Sequence, residues 1–379
     1  MHDFKVLLNA QSHRPASTHR SKVISEFTDY NALNNLKTLT IMVPAASDTK
    51  SSRMTYRFLG SSGLLVSKLS LGSWMDVYDE HKADDWYDMM KLAFEHGINF
   101  FDNAEAYGGG IAEKNMGAAI KRGIAEGIWS REDLVITTKI FFGAKGGFTG
   151  EGGPNEQGLS RKHIIEGTKA SLKRLEQEYV DVIFCHRADS RTPIEETVRA
   201  MNYVINQGWA FYWGTSQWSS AQIIEACEVA DRLVDFEYVD LYKKYKLGLT
   251  TWSPLAYGAL TGKYSAGAPE GARMSSDTWK SFAPDFEDHV VKADKLKPVA
   301  DKLGISMAEL ALAWCVSNEN VSTVMIGAKT PAQLKQNLKA IEAVDKITAD
   351  IKAEIDELVP FVPELRKPDG SEMIHEQHL

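Results

Sequence analysis

The stretch ADRLVDFEYVDLYKKYKLGLTTWSPL, residues 230–255, decides how many strands the fold contains. One helical pattern, Ala221–Asp231, runs almost directly into a second around Tyr238–Tyr245. Only then does a strand, Leu249–Ser253, begin. Elsewhere the chain alternates strand and helix without a break. Here 17 residues separate Asp231 from Leu249, too few for a strand, a helix and their loops together. One alternative stays open: in LVDFEYV, Val234, Phe236 and Tyr238 alternate with Asp235 and Glu237, the pattern of a makeshift strand.

On either side the rhythm is regular. TYRFLGSSGLLVSKLSLGSW, residues 55–74, predicts two short strands around a glycine-containing turn and then a third. Barrel-type strands start at Lys68, Ile98, Val135, Val180, Ala210, Leu249 and Val321, with amphipathic helices between them. Ser160 caps the helix after the third of these strands, and Pro193 sits near the first turn of the next. Two helices fill Glu287–Ser317, and further helices cover Pro331–Ala340 and Thr348–Leu358. Strands joined by helices imply right-handed crossovers and a parallel sheet. Seven strands are one short of the common (β/α)8 barrel. The fold class is therefore α/β, a TIM-type (β/α)8 barrel whose sixth strand is missing or makeshift. Removing one strand from a wall with strands about 4.8 Å apart leaves a gap of roughly 10 Å. The barrel then either closes on seven strands or leaves two unpaired edges facing each other.

The bulk properties set the remaining bounds. The chain has 379 residues, is 44% hydrophobic, and carries a net charge of −8, which disfavours a nucleic-acid partner. No apolar run reaches the roughly 20 residues that span a bilayer, so direct membrane insertion is not expected. Three cysteines without metal spacing read as reduced thiols of a cytoplasmic protein. Residues 1–53 hold seven Lys/Arg against four Asp/Glu and no regular hydrophobic period, and are expected to form a disordered head. The barrel is expected over 54–359, with a polar tail over 360–379.

In such barrels, catalytic groups sit at the C-terminal ends of strands. Three successive strands end in ionisable residues: FFD in Asp102, ITTK in Lys139 and VIFCH in His186, with Tyr107 in the loop after the first. Period-two alternation aligns Asp102 with Phe100 and Ile98, Lys139 with Thr137 and Val135, and His186 with Phe184, Val182 and Val180. If these faces point inward, the four groups meet at one mouth. A tyrosine is a proton donor at neutral pH, and a nearby ammonium lowers its pKa. Asp102 would hold Lys139 charged, and His186 would hydrogen-bond a carbonyl oxygen. That set suits carbonyl reduction, with hydride supplied by a cofactor.

Through FFDNAEAYGGG, VITTKIFFG, GLSRKHIIEGTKASLKRLEQEYVDVIFCHR, TPIEETVRAMNYVINQGWAFYWGTSQWS, WSPLAYGALTGKY and VMIGAKTPAQLKQN, the sequence resembles the aldo-keto reductase family. It is most similar to the branch of voltage-gated potassium channel β-subunits. The resemblance implies a (β/α)8 barrel binding NADP(H) in extended form. It implies Tyr107 as general acid, supported by Asp102, Lys139 and His186. Many channel β-subunits carry Asn at the position of His186, so this chain looks more like an active reductase than they do.

For the cofactor, the resemblance implies Ser73 and Trp74 after the first strand, and Ser216 and Gln217 near the nicotinamide. Trp252, Ser253, Pro254, Leu255, Ala256 and Gly258 would cradle the pyrophosphate, with Lys263 and Arg273 as cations. Gly327, Lys329, Gln333, Gln336 and Asn337 would hold the adenosine end, Lys329 favouring a 2′-phosphate. The family's sixth strand ends in a Gln and a Tyr, E-Q-x-x-Y-N, that bind and stack on the nicotinamide; neither is present here.

Three readings follow. The first is an NADP-dependent aldehyde or ketone reductase. The second is a nucleotide-sensing β-subunit of a potassium channel, whose branch forms homotetramers. The third is an inactive truncated variant.

Overall fold

The wall of the molecule is built from the strands read in the sequence, plus one that was not. The computed structural model describes residues 4–8, 54–74, 83–145, 152–233, 248–281 and 283–360. In chain order the strands are β1 (Phe4–Leu8), β2 (Tyr56–Phe58), β3 (Leu65–Ser67), β4 (Leu69–Gly72), β5 (Phe100–Asp102), β6 (Val135–Ile140), β7 (Val180–Cys185), β8 (Ala210–Ser216), β9 (Leu249–Thr251) and β10 (Val321–Ile326). The barrel closes in the order β1-β8-β7-β6-β5-β4-β10-β9. From β4 to β10 every neighbouring pair is parallel. These are the seven barrel strands expected.

The alternation sorts side chains as predicted. Phe100, Val135, Val182 and Phe184 pack inside the barrel against Leu59 and Val66 of the β2–β3 hairpin. On the opposite faces Leu71, Phe101, Ile136, Ile183, Trp213 and Val324 join the core beneath the helices. Those helices are α1 (Ala83–Glu95), α2 (Ile111–Ala125), α3 (Arg161–Leu175), α4 (Ile194–Asn206) and α5 (Ser220–Leu233). Ser160 caps α3 by accepting from the His163 amide, as its sequence position indicated. Gly117 of α2 lies where a Cβ would come 2.3 Å from the Leu175 carbonyl oxygen, so α2 and the end of α3 meet backbone to backbone.

Two helices were expected over Glu287–Ser317, and three are present: Phe286–Lys295, Lys297–Leu303 and Met307–Val316. Pro298 in the first turn starts the second, left-handed Gly304 (φ 61°) ends it, and a Ser306–Glu309 capping box starts the third. After β10, Thr330 caps Pro331–Leu338 and Thr348 caps Ala349–Leu358. No helix among the described residues is long and apolar enough to cross a membrane.

The expected gap is filled in a way the sequence reading did not foresee. Between β8 and β9 lies β1, antiparallel to both. Its register sets Lys5 opposite Ser216, Val6 opposite Thr215, Leu7 opposite Gly214 and Leu8 opposite Trp213. On its other side Phe4, Lys5 and Val6 pair with Thr251, Thr250 and Leu249. Five residues of the head expected over 1–53 thus form this strand, and the others lie outside the described residues. The physical reason is that two bare edges present rows of unpaired amides and carbonyls, which an added strand satisfies on both sides. An antiparallel insert also needs no crossover helix. The second helical pattern, Tyr238–Tyr245, and the makeshift strand after Leu233 lie outside the described residues.

Candidate active site

The loops that follow β5, β6 and β7 fold over the strand ends through backbone bonds. The Asn103 amide donates to the Thr137 carbonyl at 3.0 Å, the Glu105 amide to the Lys139 carbonyl at 3.1 Å, and the His186 amide to the Ile140 carbonyl at 3.0 Å. Tyr107 then opens a tight turn in which Gly108, Gly109 and Gly110 all have positive φ, bringing the chain into α2.

This scaffold brings the four predicted catalytic residues together. Lys139 is fully buried, and its Nζ donates to Asp102 Oδ2 at 2.7 Å and to the Asn103 carbonyl at 2.5 Å. It also lies 3.1 Å from the Tyr107 hydroxyl oxygen. The three acceptors use the three donors of the ammonium. Thr137 Oγ1 donates to the other carboxylate oxygen of Asp102 at 2.7 Å. The His186 ring stands edge-on to Tyr107, with centroids 5.8 Å apart at 76°, and packs against Phe142 at 5.1 Å.

The protonation states suit a proton donor. Burial pushes the Tyr107 hydroxyl up; Lys139 pulls it down and Asp102 pushes it up again, leaving it above the ordinary tyrosine value. The sequence reading expected the Lys139 charge to lower this pKa, but desolvation outweighs it. For Lys139, burial works against the charge, but Asp102 and Tyr107 outweigh it and the ammonium is held above its usual range. The site therefore holds a charged lysine beside the Asp102 carboxyl group and a protonated tyrosine at neutral pH.

Residues the sequence reading passed over complete the support. Glu105, 1% exposed, accepts through Oε1 from the Phe141 amide at 2.7 Å, the Gly143 amide at 2.9 Å and His163 Nε2 at 3.0 Å. It ties the Tyr107 loop to the loop after β6 and to α3. Burial pushes its carboxyl up, but His163 and the two amides prevail and hold it below the usual carboxylate value. Burial pushes His163 down, while Glu105 more than offsets this and raises it. A depressed carboxylate stabilises above its unfolded value, about 4.3, and loses this as pH falls through its folded value. A raised imidazole stabilises below about 6.5 and loses this as pH rises through its folded value. Glu105→Gln is expected to cost about 1–3 kcal/mol in urea unfolding. That deficit should be largest between about pH 4.3 and 6.5 and shrink as pH rises further. Arg187, whose guanidinium donates to the His186 carbonyl at 2.7 Å, is a second omission. Its charge acts to lower the Tyr107 pKa. Nothing in the strand pattern marked either residue, since both sit in loops.

The residues expected at the cofactor fall on neighbouring strand ends. Buried Ser73 follows β4 and donates through its amide and hydroxyl to the Asp102 carbonyl, each at 3.0 Å. Trp74 meets Trp279 edge-on at 5.2 Å and Tyr257 at 6.3 Å, while the Arg273 guanidinium stacks 4.5 Å from Trp279. Trp279, another residue the sequence reading missed, thereby joins Trp74 to Arg273. Ser216 ends β8 and Gln217 follows it, and the run from Trp252 through Ser253, Pro254, Leu255 and Ala256 to Gly258 follows β9.

Among the described residues, five non-glycine residues have positive φ, and four lie here: Gln217, Ser253, Ala256 and Tyr257. Such backbone is strained, and in natural proteins it gathers at ligand clamps. Lys263 flanks Gly258, its Cε 3.5 Å from where a Cβ would lie, and Trp252 Nε1 is a buried donor without a hydrogen-bond partner among the described residues. Donors, two cations and a left-handed loop fit an anionic nucleotide. At the far end Asn337 Nδ2 donates to the Gly327 carbonyl at 3.4 Å, and the Lys329 amide donates to Gln333 Oε1 at 2.8 Å. Lys329 and Gln333 are exposed at the start of Pro331–Leu338, and Gln336 is exposed in its last turn.

Residues 68–360 match the family described as the aldo/keto reductase family. The chain is also similar to two proteins named "Probable voltage-gated potassium channel subunit beta". The one from Arabidopsis thaliana is 47% identical over 339 residues, spanning 84% of this chain and 99% of that protein. The one from Oryza sativa subsp. japonica is 45% identical over 332 residues, spanning 82% of this chain and 98% of that protein.

Proposed function

Because the chain belongs to the aldo/keto reductase family, we propose that it reduces aldehydes or ketones with NADPH. The observation that carries this reading is the buried Lys139 ammonium, 2.7 Å from the Asp102 carboxylate and 3.1 Å from the Tyr107 hydroxyl. Tyr107 gives its hydroxyl proton to the carbonyl oxygen as the carbonyl carbon is reduced. The Lys139 charge stabilises the phenolate left behind, and Asp102 keeps that charge in place. His186, edge-on to Tyr107, donates a second hydrogen bond to the same oxygen. Bound NADPH supplies the hydride. Trp252–Gly258 with Lys263 and Arg273 would hold its pyrophosphate. Ser73, Trp74, Ser216 and Gln217 would border the nicotinamide. Gly327, Lys329, Gln333, Gln336 and Asn337 would hold the adenosine end, the Lys329 charge favouring the 2′-phosphate.

The names of the two plant relatives favour a second reading, in which the nucleotide site makes the chain a redox-sensing subunit of a potassium channel. The two readings separate in one experiment. Purified protein is titrated with NADPH while tryptophan fluorescence is followed, and 4-nitrobenzaldehyde is then added while reduced-nicotinamide absorbance is recorded. Turnover supports the reductase. Saturable binding without turnover supports the sensor, and absence of binding removes both.

A further inference from the structure

The slot between β8 and β9 has an unusual occupant. Every other neighbouring pair in the wall is parallel and joined within the barrel, whereas β1 is antiparallel and reaches the hairpin at Tyr56 only through residues 9–55. It is held on both sides by backbone pairing, with four partners on β8 and three on β9. A strand added in this way resembles a bound peptide more than a link of the fold.

The lining of the slot supplies an independent observation. Thr215, Thr250 and Thr251 are at most 3% exposed, and none of their hydroxyls has a hydrogen-bond partner among the described residues. Each stands directly opposite β1: Thr215 at Val6, Thr250 at Lys5 and Thr251 at Phe4. Buried hydroxyls are ordinarily paired, and threonines side by side across a ladder readily bond one another. The resident sequence FKVLL offers no hydroxyl at these positions.

We propose that this slot is a strand-acceptor site in which Phe4–Leu8 sits as an exchangeable ligand. Its competitor is an extended segment of another protein, threaded antiparallel with hydroxyl side chains opposite Thr215 and Thr251. Tethering gives the resident strand a high local concentration, so the foreign strand gains access when the tether is cut or drawn away.

The register is tested first in the full chain. Val6→Cys with Thr215→Cys forms an intrachain disulfide on mild oxidation, and Leu7→Cys with Thr215→Cys does not. Failure of the first cross-link overturns the placement. Exchange is tested with a full chain carrying a protease site within residues 9–53, cleaved after folding. A fluorescent peptide of residues 1–10 should bind the cut chain saturably by anisotropy and the uncut chain at least tenfold less. The same peptide with Phe4→Thr and Val6→Thr should bind the cut chain at least as tightly. No uptake by the cut chain overturns the acceptor site. Tenfold weaker binding of the threonine peptide overturns the stated chemistry of the partner. Neither readout depends on turnover, so these results stand apart from those that test the reductase reading.

Discussion

Tyr107→Phe is expected to lower carbonyl turnover by about 10²–10⁴-fold, the range that a positioned general acid contributes. NADPH affinity should stay within about twofold, because the ring and its edge-on contact with His186 survive. Lys139 keeps Asp102 and the Asn103 carbonyl as acceptors, so the fold should also persist. The pH profile adds a second check. The tyrosine hydroxyl is held above its ordinary value of about 10. The acid form is then complete at neutral pH, and turnover should fall only when pH rises beyond that value. Steady-state NADPH oxidation with 4-nitrobenzaldehyde measures both quantities. A variant that keeps a tenth or more of the wild-type kcat would remove Tyr107 from its role.

The second large effect is on stability. Lys139→Met is expected to cost about 3–5 kcal/mol, because it leaves the Asp102 carboxylate buried without its countercharge. Asp102 would keep the Thr137 hydroxyl bond, which carries no charge. Its folded pKa should then rise above the unfolded value of about 3.9, which means stability lost as pH rises and recovered as pH falls into the carboxylate range. The double change Lys139→Met with Asp102→Asn should restore most of the loss, since neither charge remains. Urea unfolding of the two variants at neutral and mildly acidic pH distinguishes this from simple loss of packing. A packing defect would be insensitive to pH and would not be relieved by the second change.

The meeting of Asp102, Tyr107, Lys139 and His186 was legible because its signals are local. In VITTKI the two-residue period placed Lys139 on the face of Thr137 and Val135, and that face is the inner one, shared with Phe100, Val182 and Phe184. Asp102 and His186 followed by the same rule. The shortfall at the sixth strand's place was legible as a shortage of residues between Asp231 and Leu249. Its replacement was not. FKVLL lies far from its partners in sequence, and its pairing is with residues 213–216 and 249–251. Glu105 was hidden for a similar reason. In DNAEAY it reads as a loop carboxylate, and its value lies in amides at Phe141 and Gly143 and a histidine on α3. Trp279 sits in a polar run, SSDTWKS, and only the fold carries it to Trp74 and Arg273.

The placement of β1 also orders events in time. The strand that closes the wall is made long before its partners on β8 and β9. Until Thr251 has emerged, Phe4–Leu8 has no seat on β9, and the edge of β8 stays open to any strand that passes. Long-range pairing of this kind is slow and exposed to misassociation. Closure thus comes last, and the growing chain must keep its own first strand out of other partnerships until the molecule is nearly complete.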